Sequence, residues 1–187
     1  RKLLNDNTLL LGANLFFDHQ FSENHQRVGA GVEAITSIFD VRANYYNALS
    51  GRKTNDSGTI ERAMDGWDLR ADYHLPIKQD VNIFVSAFEF ENPESASSYK
   101  ETGNKYGADA KLGNFLLEGG YQDDNQANDY WFGNITYVVN FGSGEKDTSS
   151  NLSSLADVSD KLYQPVKREN KIRVVKISAS GLVAGGF

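Results

Sequence analysis

The sequence of 187 residues contains no cysteine. Disulfides, thiolate nucleophiles and cysteine-type zinc sites are therefore ruled out. Proline is scarce, at three residues. Basic charge is in deficit: 19 Lys and Arg face 25 Asp and Glu, for a net charge of −6 and a pI near 5.1. That leaves no basic footprint for nucleic acid. No apolar run approaches the length of a membrane-spanning helix, and the mean hydropathy of −0.49 would ordinarily be read as soluble. This absence does not exclude a membrane. A transmembrane β-barrel hides its signal in alternation, and averaging the two faces of a strand cancels it. The chain begins Arg1-Lys2 with no methionine and no signal peptide, which reads as an internal start of something longer. Its length suffices for one large all-β domain with a substantial core.

What the sequence has in abundance is alternation. Three segments of residues 8–50 place apolar and polar side chains one for one. In the first, Leu9, Leu11, Ala13, Leu15, Phe17 and Phe21 oppose Asn14, Asp18 and Gln20. In the second, Val28, Ala30, Val32 and Ala34 oppose Arg27, Gly29, Gly31 and Glu33. In the third, Phe39, Val41, Ala43 and Tyr45 oppose Asp40, Arg42 and Asn44. A repeat of two means strands, because successive side chains point to opposite faces of a sheet. Residues 67–75, 105–112, 115–121 and 130–141 continue the pattern. Residues 81–90 are strand-like with both faces apolar, so their facing stays open. Residues 1–7 read as a polar lead-in, and 51–66, 92–104 and 122–129 as long polar loops.

Eight strands result, joined alternately by longer and shorter connections, so one end of an up-and-down meander gathers large polar loops and the other tight turns. On the apolar face Phe21, Tyr45, Trp67, Tyr106, Tyr121 and Trp131 fall at the long-loop end, while Phe39, Phe115 and Phe141 fall at the turn end. Two aromatic rows flanking an aliphatic band suit a lipid interface at each end of the strands. Glycines concentrate on the polar face (Gly12, Gly29, Gly31, Gly107, Gly120), where a soluble surface would favour β-branched residues. The competing arrangement is a soluble barrel or sandwich with the apolar face inside. The glycines, belts and loop lengths favour a transmembrane β-barrel with a wet, crowded interior.

Catalysis finds little support. His19, His25 and His74 are scattered and pair with no patterned carboxylate, so no metal or other cofactor is expected. Asp18, Glu33, Asp40, Asp68, Asp72, Asp109 and Glu118 read as a lumenal network with Arg27, Arg42, Arg70 and Lys111 rather than as acid–base machinery. Beyond residue 141 a flexible polar segment leads to a helix expected over 152–164, with Leu152, Leu155, Val158 and Leu162 as its stripe and Pro165 as its stop. Residues 171–178 read as an extended segment, followed by a flexible tail.

The residues also carry a resemblance. Leu11-Gly12-Ala13-Asn14-Leu15-Phe16-Phe17-Asp18 fits L-G-x-N-x-F-x-D, Arg27 to Glu33 fits R-x-G-x-G-x-E, and Asn44-Tyr45-Tyr46 leads to Leu49-Ser50-Gly51. Together these resemble the intimin/invasin-type inverse autotransporter β-domain. Residues 61–70 (ERAMDGWDLR) are similar to that family's E-R-P-A-N-G-F/W-D-I-R with Ala63 in place of proline, and His74-Leu75-Pro76 matches its Y-L-P. Arg168-Glu169-Asn170-Lys171-Ile172 resembles its linker.

The resemblance implies a twelve-stranded barrel in the bacterial outer membrane. Eight strands lie within residues 1–141, and four more are expected before Arg1. A linker in residues 142–187 would cross the pore, with Leu155, Val158, Leu162, Arg168, Glu169 and Asn170 along it, and a C-terminal passenger would be displayed outside. Outer-membrane lipid, barrel-assembly machinery, periplasmic chaperones and the passenger are the implied partners of a monomeric barrel. A passenger-less, porin-like barrel that acts through its outer loops is the alternative.

Overall fold

The structure is a computed structural model that describes residues 1–94, 99–126, 129–139, 157–178 and 181–186. Phe141, Leu152 and Leu155 lie outside the described residues. The chain forms β1 (Lys2–Leu4), β2 (Leu9–Gln20), β3 (His25–Thr36), β4 (Phe39–Ala48), β5 (Lys53–Thr54), β6 (Ile60–Ala63), β7 (Asp65–His74) and β8 (Asp80–Glu91). It continues with β9 (Lys100–Leu112), β10 (Phe115–Asp124), β11 (Tyr130–Tyr137), β12 (Val174–Ser178) and β13 (Gly181–Gly186). A 3-10 turn spans Ser159–Tyr163. Among the described residues no helix is long and apolar enough to cross a membrane, which says nothing about strands.

The main sheet is a nine-stranded antiparallel meander ordered β1-β2-β3-β4-β7-β8-β9-β10-β11. It is open, with β1 and β11 at its edges, and strongly curved. Strands three places apart in a flat sheet lie about 14 Å from one another. Yet Arg70 of β7 reaches Glu118 of β10 at 2.7 Å, and the rings of Phe84 on β8 and Phe132 on β11 sit 6.4 Å apart. The concave face that brings them together is the polar one. Outward point Leu15, Phe17, Val32, Val41, Leu69, Val85 and Ile135, all exposed. The alternation thus resolves as a part-barrel turned inside out relative to a soluble fold.

Three of the strands fall where the sequence shows no period. Residues 1–7 contain β1, folded back on β2 with Leu3 opposite Leu10 through a turn in which Asn5, Asp6 and Asn7 all have positive φ. Short amide and acid side chains tolerate that backbone better than most. The long loop at 51–66 contains β5 and β6. β6 is too short to display alternation, and its partner is β12, more than a hundred residues away in sequence. Together they form the second sheet, ordered β13-β12-β6-β5.

The facing of β8 is also fixed. Phe84, Phe88 and Phe90 are buried on the concave side, and Ile83 and Val85 are exposed on the convex one. Of the helix expected over 152–164, the described part is the single 3-10 turn, preceded by Val158, which is buried against Leu10 and Ile35.

Close approach explains one glycine pair. Gly107 on β9 faces Gly120 on β10, and a Cβ at Gly107 would stand 2.1 Å from the carbonyl oxygen of Gly119 and 2.7 Å from the Cα of Gly120.

Candidate functional site

The concave face is a ladder of charges set by register. β3 and β4 place Glu33 opposite Arg42, and β4 and β7 place Arg42 opposite Arg70. Like charges opposite one another repel, and Asp72 resolves the conflict by accepting from Arg42 at 2.7 Å and from Arg70 at 2.9 Å. Arg42 also holds Asp40 at 2.8 Å, and Arg70 reaches Asp109 and Glu118, both at 2.7 Å. At the outer end Arg27 holds Asp18 at 2.8 Å; at the turn end Arg1 holds Glu33 at 2.5 Å. Asp68 accepts from Asn44 at 3.0 Å and from the hydroxyl of Tyr46. Lys111 is exposed at the turn end of β9, opposite Asp80 and Leu116. Such buried pairs contribute little net stability, but deleting one partner costs about 3–5 kcal/mol because the other charge is stranded. The network therefore fixes geometry more than it adds stability.

Across this face lies residues 157–178, and it runs from one end of the strands to the other. At the turn end the backbone N–H of Val158 donates to the Asn7 carbonyl at 2.8 Å, and Arg1 donates to the carbonyls of Lys161, Leu162 and Gln164. Lys161 sits 3.5 Å from Asp40 and 2.9 Å from His74. Midway, Lys167 bridges Asp72 at 3.1 Å and Asp109 at 2.8 Å. Next, Arg168 pairs with Asp18 at 2.8 Å. Glu169 accepts from Lys105 at 2.7 Å, and its backbone N–H donates to the Tyr46 hydroxyl at 2.8 Å. Arg27 donates to the carbonyls of Glu169 and Lys171. At the outer end Arg173 pairs with Glu101, and beyond it β12 adds to β6. Leu162 is partly buried near Leu3 and Leu10, and Asn170 is exposed.

The interior is not wet throughout. Tyr46, Met64, Phe88, Phe90 and Val175 form a buried apolar cluster, with Phe16 and Tyr99 packed against it. Apolar–polar alternation alone does not predict this seam, although the sequence carries a signal for it. Phe16 shares the parity of Asn14 and Asp18, and Tyr46 that of Arg42 and Asn44. Aromatics on a charged face serve as stacking partners for cations: Arg168 lies over Phe16 at 4.3 Å, Arg27 over Tyr46 at 4.3 Å and Arg70 over Phe84 at 3.7 Å.

On the convex face Phe21, Tyr45, Trp67, Tyr106 and Trp131 are exposed at the long-loop end, and Tyr121 is half-buried between Tyr106 at 5.7 Å and Trp131 at 5.3 Å. A second row at the turn end pairs Phe39 with Tyr73 at 5.1 Å and Phe115 with Tyr137 at 5.0 Å. The histidines stay apart: His19 stacks on Phe21, His25 is buried beside Ser50 and Glu61, and His74 meets Asp40 and Lys161.

An apolar band between two aromatic rows, around a charged concave face, defines a transmembrane β-barrel protein of the outer-membrane type. The chain belongs to the inverse autotransporter β-domain family, whose model matches residues 1–170. It is 39% identical over 72 residues to a putative attaching and effacing protein homolog of Escherichia coli K12, covering 37% of this chain and 24% of that protein. It is 35% identical over 72 residues to the inverse autotransporter adhesin YeeJ of the same strain, covering 37% of this chain and 3% of YeeJ. Intimin of Citrobacter freundii is 36% identical over 69 residues, covering 36% of this chain and 7% of intimin. The chain thus matches less than a quarter of the length of each of these relatives. A solved chain from work on the in-meso crystallisation of membrane proteins superposes with a TM-score of 0.74 at 18% identity, covering 90% of this chain and 74% of that one. The bacterial outer membrane is the place of such a domain.

Proposed function

We propose that this domain anchors a protein in the outer membrane and carries its C-terminal continuation through the barrel to the cell surface. The observation that carries this reading is the course of residues 157–178. They enter at the turn end, follow the charged face past Asp40, Asp72 and Asp18, and leave at the long-loop end beside β6. A helix lying on the periplasmic surface would have made no contact with Glu101 or β6. Four cations of the segment, Lys161, Lys167, Arg168 and Arg173, meet carboxylates of the wall. The segment is therefore matched to the face by charge as well as by length. No nucleotide-binding motif is present in the sequence, so the work of export falls to barrel assembly and to folding of the passenger outside. Barrel-assembly machinery and periplasmic chaperones are the partners this route calls for.

Conductance in planar bilayers tests the reading. Deleting residues 157–173 removes the obstruction, and single-channel current should rise severalfold. An unchanged current would sink the proposal and leave a barrel that acts through its outer loops.

A further inference from the structure

Of Lys161, Lys167, Arg168 and Arg173, the most enclosed is Arg173, with a side chain only 8% exposed. Its guanidinium lies 4.2 Å from the centroid of Phe88 and 4.8 Å from that of Phe90. One terminal nitrogen donates to Glu101. The other donates to the Gln122 oxygen at 3.4 Å and reaches Glu169 of its own segment at 3.3 Å. Glu101, Gln122, Phe88 and Phe90 are themselves buried and come from three adjacent strands, β8, β9 and β10. Tyr130 donates to the same Gln122 oxygen at 3.2 Å. We propose that Phe88, Phe90, Glu101 and Gln122 form a guanidinium-binding pocket at the outer mouth, and that seating Arg173 in it sets the register at which the exported chain stops.

Each wall of the pocket selects for that group. A planar cation stacks on aromatic faces while its edge donates to two acceptors at once, and a point-like ammonium cannot do both. Glu101 is a buried carboxylate whose one ion pair among the described residues is with Arg173, so an empty pocket strands a charge. Lys105, four residues along β9 from Glu101, does not fill it: its ammonium is committed to Glu169 at 2.7 Å and lies 5.6 Å from the centroid of Phe88. The place matters as much as the chemistry. The Arg173 carbonyl accepts from Met64 N–H at 3.0 Å, β12 begins at the next residue, and Val175 is buried against the same phenylalanines. One residue thus ends the run along the charged face and begins the pairing with β6. The consequence for export rests on the reading of residues 157–178 as a linker; the chemistry of the pocket does not.

The absence of cysteine makes a clean reporter available. Val175→Cys places a buried thiol beside the pocket, and a bulky membrane-impermeant maleimide reports its release in the folded, membrane-inserted protein. Adding Arg173→Ala should speed labelling about tenfold or more, in line with loss of a buried charged hydrogen bond and its stacking. Arg173→Lys should label nearly as fast as Arg173→Ala. Millimolar methylguanidinium should slow labelling of Arg173→Ala, and methylammonium at equal ionic strength should not. If Arg173→Ala does not assemble, Phe88→Leu with Arg173 retained should give an intermediate rate. A lysine variant as protected as the parent, or equal effects of the two salts, would overturn the pocket. These outcomes are separate from the deletion test above, which an intact pocket can accompany in a barrel that exports nothing.

Discussion

Leu15 and Asn14 are neighbours in sequence and meet two different solvents. Leu15 is 84% exposed on the convex face, at mid-strand, where the surroundings are acyl chains. Arginine there costs about 2–4 kcal/mol near the bilayer midplane. Leu15→Arg should therefore abolish heat-modifiable migration of the folded barrel, while Asn14→Ala, on the concave side near Gly31 and Asn44, should leave it intact. Equal effects would refute the facing. Gly107 poses a steric question instead. Alanine would press its methyl into the backbone of β10, and overpacking of this kind costs about 1–3 kcal/mol. Gly107→Ala should lower the urea midpoint of unfolding. Both expectations follow from parity that is readable in the sequence. The aromatic seam through Phe16, Tyr46 and Phe90 is different: its residues stood at polar parity, but only the curvature that brings β2, β4 and β8 together made them a core.

At the level of elements, the linker and the wall are tied unequally. Asp72 serves Arg42, Arg70 and Lys167 and is fully buried. Asp72→Asn leaves Arg42 and Arg70 facing one another without the carboxylate between them, although each keeps another acceptor, and should cost about 1.5–3 kcal/mol. Lys167→Ala removes a third-exposed partner from carboxylates that keep their arginines, and should cost about 1 kcal/mol or less. Urea titration of the two variants should show that order, and the reverse would mean that the segment, not the wall, is the rigid element.

The outer loops are tied as well. Glu94 accepts from Arg52 at 3.0 Å and pairs with Arg62 at 3.2 Å, and hydrogen bonding from Arg52 holds its carboxyl below the usual glutamate range. A lowered value means the clasp is fully present above the ordinary glutamate pKa and lost as pH falls through the lowered one. Amide exchange in residues 51–63, corrected for intrinsic rate, should therefore stay slow near neutrality and speed up only in strong acid. Glu94→Gln should remove the difference.

For the whole molecule, the open sheet sets a condition. Backbone groups at the β1 and β11 edges have no partner in hydrocarbon, so in a membrane these strands pair with one another or with further strands. Inside, the wall's carboxylates outlast the linker. Once residues 157–173 are deleted, Asp18, Asp40, Asp72, Asp109 and Glu101 lose the four cations that faced them. The opened path should pass cations in preference to anions, measured as the reversal potential in a salt gradient. Anion preference would mean the concave face does not line the conducting route.

The sequence by itself determined the eight long strands, the facing of all of them but β8 and the order of long and short connections, because a period of two is a local property that each strand carries without its neighbours. It also placed the charges that line the concave side. Only the tertiary structure decided what those charges meet, because ion pairs between residues more than thirty positions apart depend on curvature and register. The same holds for the pairing of β6, too short to announce itself, with β12, which the sequence shows only as an extended segment without a partner. They are strands because each supplies the backbone partner the other needs.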